Sequence, residues 1–170
     1  IIVYTRIKHF KLLETIEIVL PVFMLAQVVG RWGNFFNQEA FGPLVGGYTN
    51  SYLTNDQLIS QRETLRHLLV PDFIIDNMYI TSNVKIDGYY HPTFFYEGVA
   101  NLIGALTYIE LRKRTKKIYI GDGICFYLTW YGLVRLFIEI LRQDPLTFTI
   151  GGLTIKVAIL TSILFMLAGI

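Results

Sequence analysis

The chain has 170 residues, of which 53% are hydrophobic, 15% aromatic and 16% charged, with a mean hydropathy of +0.46. Soluble domains carry about 25% charged residues, so this balance favours a membrane protein. A net charge of +2, with the basic residues clumped rather than spread over one face, speaks for membrane topology and against nucleic acid as a partner. The single cysteine, Cys125, lies inside an apolar segment; it offers no disulfide framework and no metal-ligand spacing, and reads as a small buried hydrophobe. No cofactor or metal is expected.

Residues 1–11 carry Arg6, Lys8 and Lys11. They do not read as a signal peptide, because the basic residues follow apolar ones and no small-residue cleavage pattern ends the next apolar run. The first residue is Ile1, and the last three, Ala168, Gly169 and Ile170, fall in mid apolar run, so the chain is expected to continue at both ends. A first span is expected over 12–30. It tolerates Glu14 and Glu17 only near its cytoplasmic end, and Pro21 and Gln27 only where neighbouring helices re-satisfy them; a soluble amphipathic helix is the alternative.

The apolar run stops at Gly30-Arg31-Trp32-Gly33-Asn34-Phe35-Phe36-Asn37-Gln38-Glu39-Ala40-Phe41-Gly42. A polar cluster at the end of a membrane-length segment sits at headgroup depth, where an arginine can meet a phosphate without full transfer into hydrocarbon. Gly30, Gly33 and Gly42 would allow positive φ or close approach of backbone to a ligand. The plainer alternative is a helix end with a snorkelling arginine and a glycine stop.

Residues 43–90 read as an extracytoplasmic segment, with turn signals at Gly46-Gly47, Asn50-Ser51, Pro71-Asp72 and Asp87-Gly88 and a polar, helical piece around 55–69. A connection this long suits a lid or a substrate-recognition surface. Tyr48, Tyr52, Tyr79, Tyr89 and Tyr90 equally suit an interfacial aromatic belt. A second span is expected over 93–111, opened by His91-Pro92, with His91 as the N-cap. Arg112-Lys113-Arg114-Thr115-Lys116-Lys117 should then be cytoplasmic, being a short basic loop between spans. The third span, 122–141, precedes a short outer loop over 143–152. The fourth, 153–170, starts near Leu153, where Lys156 can snorkel. The fold class is an all-α, polytopic membrane helical bundle of about four transmembrane helices. It forms a single membrane domain over 1–170, with 43–90 inserted between the first and second spans.

In the third span Tyr131, Arg135, Glu139 and Arg142 are spaced four, four and three apart, along one helix face. Charges inside a span cost of order 2.5–3.5 kcal/mol each on insertion scales and persist where they pair, meet water or bind something. Glu97 and Asn101 form a similar face on the second span, and Arg31, Asn34 and Glu39 approach from the end of the first. Three polar faces are therefore expected to converge toward the outer leaflet. Mutual Arg–Glu pairing that merely holds helices together is one reading. The choice of arginine, whose planar fork suits phosphate, favours an anionic headgroup.

These blocks also carry a resemblance. The stretch from Gly30 to Gly42 resembles the Gly-Arg-x-Gly-Asn-Phe-x-Asn-x-Glu-x-x-Gly signature of the bacterial prolipoprotein diacylglyceryl transferases. His91-Pro92-Thr93-Phe94-Phe95-Tyr96-Glu97 is similar to that family's His-Pro-x-x-x-Tyr-Glu block, and the run from Tyr131 to Arg142 is similar to its Tyr-Gly-x-x-Arg-x-x-x-Glu-x-x-Arg block. The resemblance implies a multi-pass enzyme of the bacterial cytoplasmic (inner) membrane, with its active site toward the outer leaflet. Its partners would be phosphatidylglycerol, the lipid bilayer and prolipoprotein signal peptides with a lipobox cysteine. The implied reaction moves the diacylglyceryl group onto that cysteine thiol, forming a thioether and releasing glycerol 1-phosphate.

By motif match, Arg31, Tyr131 and Arg135 would be catalytic. Arg31, Asn34, Glu39, Gly42, Glu139 and Arg142 would bind phosphatidylglycerol, and His91 and Glu97 are further candidates. The family's upstream His-Gly-Gly block, whose histidine is a proposed base for the thiol, has no counterpart among His9, His67 and His91. An N-terminally truncated, catalytically incomplete chain is therefore expected, with His91 the substitute candidate base. A transporter or channel segment with an Arg/Glu-lined pathway is the alternative, although the polar groups gather toward one side and leave 124–128 apolar.

Overall fold

A computed structural model describes residues 1–39, 41–49, 52–81, 86–115, 119–141, 147–150 and 153–169; for 147–150 and 153–156 it describes the backbone alone. The element order is α1 (Ile2–Ile7), α2 (Leu12–Phe36), α3 (Asn55–His67), α4 (Asp72–Asn77), β1 (Tyr79–Ile80), β2 (Gly88–Tyr89), α5 (Thr93–Arg114), α6 (Asp122–Leu141), β3 (Thr147–Ile150), β4 (Leu153–Lys156) and α7 (Val157–Gly169). β1 pairs with β2 and β3 with β4, each antiparallel.

The long helices bury polar groups and expose apolar ones. Ile18, Val22 and Val29 on α2, Ile103 and Leu106 on α5, and Phe137 and Ile140 on α6 are all exposed, while Glu17, Glu97, Asn101 and Glu139 are buried. Water would select the reverse, so the surrounding solvent is lipid. At 1.5 Å per residue, α2 and α6 reach about 37 and 30 Å. Both are long and apolar enough to cross a membrane. Cys125 stands exposed on this surface rather than buried as expected from its apolar surroundings.

Glycines and small residues set the helix spacing. A Cβ on Gly104 of α5 would run into the indole of Trp130 on α6, whose Nε1 donates to the Ala100 carbonyl at 3.1 Å. A Cβ on Gly132 would lie 2.7 Å from the Ser162 carbonyl of α7.

At one end, α2 and α5 are tied by Glu17. Its carboxylate accepts from Tyr108 Oη at 2.6 Å, from Arg112 Nη1 at 2.9 Å, and from the backbone N–H groups of Gly121 and Gly123 at 2.9 Å each. Pro21, four residues on, cannot donate to the Glu17 carbonyl; Arg112 Nη1 stands 3.5 Å from that oxygen instead.

At the other end, the segment between α2 and α5 packs its own apolar cluster of Leu44, Val45, Leu65, Val70, Ile74, Ile75 and Met78 onto Tyr90 and Phe94. Buried Gln61 holds it together, donating to the Val45 carbonyl at 2.7 Å and accepting from Tyr89 N at 3.0 Å. The expected helical piece is α3, capped by Thr54 and Gln57 in a reciprocal capping box. Pro71-Asp72 starts α4 rather than making a turn. Of the proposed aromatic belt, Tyr90 is core, Tyr79 and Tyr89 pair across the strands, and Tyr52 is exposed. Asn50 and Ser51 lie outside the described residues.

Several expected boundaries move. α2 continues six residues past Gly30 to Phe36, so Gly30 and Gly33 are helical, with no positive φ and nothing within 4 Å of an added Cβ. Helix-breaking by glycine is weak where a helix is surrounded by lipid. The N-cap of α5 is Pro92, not His91. The fourth apolar helix starts at Val157 rather than near Leu153, because 153–156, Lys156 included, pair as β4 with β3. Its 13 residues reach only about 20 Å.

Candidate functional site

α2, α5 and α6 bring Arg31, Glu97 and Arg135 together. Arg31 Nη2 lies 2.7 Å from Glu97 Oε1, and Arg135 Nη1 lies 3.6 Å from Glu97 Oε2. Arg135 Nη2 is also 3.5 Å from Glu139 Oε2 one turn along α6. The carboxylates are buried, at 4% and 1% side-chain exposure, whereas Arg31 keeps 28% and Arg135 17%. Both cations thus reach the surface while their counter-ions do not. Of the polar faces expected to converge, Arg31, Glu97, Arg135 and Glu139 meet at this point. Asn101, one turn below Glu97, is buried too, and its Nδ2 has no hydrogen-bond partner among the described residues.

The cleft over these groups is lined by Arg31, Asn34, Thr93, Phe94, Glu97, Arg135 and Ile138, and its free volume is about 10 Å³. That is room for about one water molecule. A larger anion can enter only if an arginine swings off its carboxylate. Thr93, Phe94 and Ile138 were not singled out from the sequence, since nothing distinguishes them there from ordinary helix-face residues.

The remaining signature residues shape the end of α2. The helix closes in a Schellman motif: Glu39 N donates to the Asn34 carbonyl at 3.0 Å and Gln38 N to the Phe35 carbonyl at 3.1 Å. Gln38 takes the left-handed position with φ 50°. The five-residue spacing of Asn34 and Glu39 is thus the spacing of the motif's outer hydrogen bond. Glu39 itself is exposed and accepts from Asn37 Nδ2 at 3.0 Å.

Gly42 then passes under the start of α5. Its N–H donates to the His91 carbonyl at 2.8 Å, and a Cβ there would lie 3.0 Å from His91 Cβ and Thr93 Cγ2. It is a backbone-on-backbone contact between chain segments, and it fixes the signature against the α5 block. His91 Nδ1 and Tyr96 Oη are 3.0 Å apart, and burial holds the His91 imidazole below its ordinary value. His91 does not line the cleft. Tyr131 does not either; it stacks on Tyr127 and packs against Phe165 of α7. Arg142 lies outside the described residues.

Membrane-length helices around an Arg–Glu–Arg cluster, whose carboxylate is buried and whose guanidinium groups reach the surface, define a helical membrane protein. Residues 1–170 match the family described as prolipoprotein diacylglyceryl transferase, and the chain belongs to that family. It is 39% identical over 170 residues, 98% of its length, to a phosphatidylglycerol–prolipoprotein diacylglyceryl transferase of Staphylococcus epidermidis. It is likewise 39% identical over 169 residues to one of Staphylococcus aureus. The chain spans about half the length of these curated relatives, 53% and 51%.

Proposed function

We propose that this chain carries the phospholipid site of a phosphatidylglycerol–prolipoprotein diacylglyceryl transferase. The observation that carries the reading is the pair of partly exposed arginines, Arg31 and Arg135, sharing buried Glu97 in a cleft. In the reaction a cysteine thiolate attacks a glycerol carbon, the carbon–oxygen bond to phosphate breaks, a thioether forms, and glycerol 1-phosphate leaves with the electron pair. The leaving group gains charge, and preorganised guanidinium groups stabilise such charge far better in a dry site than in water.

Arg31 and Arg135 take the phosphate. Asn34 orients the headgroup, Glu139 sets Arg135, and Arg142 is assigned to headgroup binding by its place in the motif. Glu39 and Gly42 hold the end of α2 in register with α5. Tyr131 supports the cleft from below through the α6–α7 packing. His91, at the start of α5 outside the cleft lining and held below its ordinary value by burial, is this chain's substitute candidate for the base that takes the thiol proton.

α2, α5 and α6 cross the bacterial cytoplasmic membrane, and α7 completes the bundle. The 112–117 run faces the cytoplasm, while 43–90 and the arginine cleft face the outer leaflet, where lipobox cysteines are presented.

The test measures glycerol phosphate release from labelled phosphatidylglycerol with a lipobox peptide. It uses the chain itself and the S. epidermidis relative carrying residues 1–170 in place of the stretch they match. Turnover by the chimera, abolished by Arg135→Ala, supports the assignment. A chimera that purifies folded and binds phosphatidylglycerol no better than an uncharged lipid, without turnover, overturns it.

A further inference from the structure

α3 ends in a second Schellman motif. Val70 N donates to the Leu65 carbonyl at 3.1 Å and Leu69 N to the Arg66 carbonyl at 2.9 Å, with Leu65 and Val70 meeting in the core. The left-handed position, which favours glycine because a Cβ crowds the following carbonyl, is held by Leu69 at φ 58°. This leucine is 85% exposed. It accepts backbone strain and buries nothing within the described chain. Leu68 beside it and Phe73 on α4 are about half exposed, and the corner they share is pinned by Arg66 Nε donating to Asp72 Oδ1 at 2.8 Å.

The corner's height is fixed by α2. Phe73 stacks on Trp32, with ring centroids 6.3 Å apart and planes at 6°. Trp32 lies four residues, about 6 Å, below the end of α2 and next to Arg31. Phe36, on the same helix face as Trp32, is 78% exposed. Immediately below, Val28, Trp32, Phe94, Phe95, Val99 and Leu102 line an apolar groove of about 200 Å³ between α2 and α5.

We propose that Leu68, Leu69 and Phe73 insert into the outer-leaflet interface as a lipid anchor, holding the 43–90 segment against the membrane beside the arginine cleft. The occupant is the lipid itself, because the patch continues the lipid-facing side of α2 at the depth where headgroups meet acyl chains; bulky apolar groups at that depth bind by burying area in the acyl boundary. The inference rests on α2 crossing the membrane.

Since Cys125 is the only cysteine, Cys125→Ser gives a background in which Leu69→Cys carries one nitroxide. In nanodiscs of phosphatidylglycerol and phosphatidylcholine, power saturation at position 69 should show oxygen collisions exceeding those with a nickel chelate, a positive depth parameter. A label at Tyr52→Cys should show the reverse, and a label on native Cys125 should report the hydrocarbon. Nickel dominance at position 69 with Cys125 still in lipid overturns the anchor while leaving the spanning helices intact. Nickel dominance at Cys125 as well overturns the spanning reading and the anchor with it. Dipolar broadening between position-69 labels on two molecules, lost on dilution with unlabelled protein, assigns the patch to a second copy and also overturns the proposal.

Discussion

The Glu17 carboxylate is the most heavily hydrogen-bonded one among the described residues of the bundle, and its removal has a calculable cost. It accepts four hydrogen bonds, from Tyr108, Arg112, Gly121 and Gly123, in a site where Glu17 is 4% exposed. Glu17→Ala orphans the Tyr108 hydroxyl and the buried Gly123 N–H, and stranding a buried donor costs about 1–3 kcal/mol each. Arg112, with a side chain 39% exposed, can turn to water or headgroups, so its share is small. The expected loss is about 3–5 kcal/mol, the range for breaking a buried ionic group from one side.

Glu17→Gln keeps the volume and can still accept from the two glycines, but sets an amide N–H against Arg112; about 1–3 kcal/mol is expected. Tyr108→Phe removes the hydroxyl's donation to Glu17 and its acceptance from Arg112; because Arg112 keeps Glu17 and is partly exposed, about 1 kcal/mol is expected. The reporter is built in, since Tyr108 stacks on Phe126 and Phe126 on Trp130. Thermal or denaturant unfolding in a mild detergent, followed by tryptophan emission, reads the order Ala > Gln > Phe. Equal stabilities for Glu17→Ala and the parent chain would refute the assignment of Glu17 as the tie between α2 and α5.

Gly104→Ala drives a methyl into the Trp130 indole and should cost about 1–3 kcal/mol as overpacking, read in the same assay and relieved by Trp130→Leu. His91 is held below its ordinary value of 6.5 by burial, so between the two values the unfolded chain binds more protons than the folded one. Stability is therefore full above about 6.5 and falls as pH drops below it; His91→Gln should flatten that slope, and an unchanged slope would show that another group carries it. Arg135→Lys should lose much of the activity that Arg135→Ala loses, because a point charge cannot replace the planar fork, measured as glycerol phosphate release by the chimera.

The ionic site was legible because charges in an apolar sequence are conspicuous and helical spacing assigns them to faces. Arg31, Glu97, Arg135 and Glu139 needed nothing more. The end of α2 was not legible. Gly30 and Gly33 looked like stop signals, yet the helix is ended by Gln38, a residue with no special claim on the left-handed conformation; the tertiary contacts of Trp32 and Phe35 with Phe94 override local preference. The β3–β4 hairpin was missed for the opposite reason. Its alternating runs flank Gly151-Gly152, a recognised hairpin pattern, but 147–150 read as outer loop and hydropathy absorbed 153–156 into the fourth span. Glu17 was noticed as a cost to be tolerated. Its partners sit about 90 to 106 residues away, and no local pattern announces such a pairing.

Charge balance at the arginine cleft leads to a further prediction. Arg31 and Arg135 face Glu97 and Glu139, so these four groups sum to zero, and the cleft admits about one water. A phosphodiester brings one negative charge and must also displace Arg31 from a 2.7 Å contact with Glu97. Glu97 therefore competes with the anion for both arginines. Two unit charges about 5 Å apart at an effective dielectric of 20 interact by about 3 kcal/mol, an upper bound worth roughly a hundredfold in affinity. Glu97→Gln should accordingly bind phosphatidylglycerol more tightly, by roughly tenfold after allowing for the exposed arginine ends. Turnover should nevertheless fall, because the arginines lose the buried carboxylate that aims them. Native mass spectrometry or a lipid titration gives the affinity and the chimera gives the turnover. Weaker binding by Glu97→Gln would show that Glu97 organises the anion site rather than competing for it.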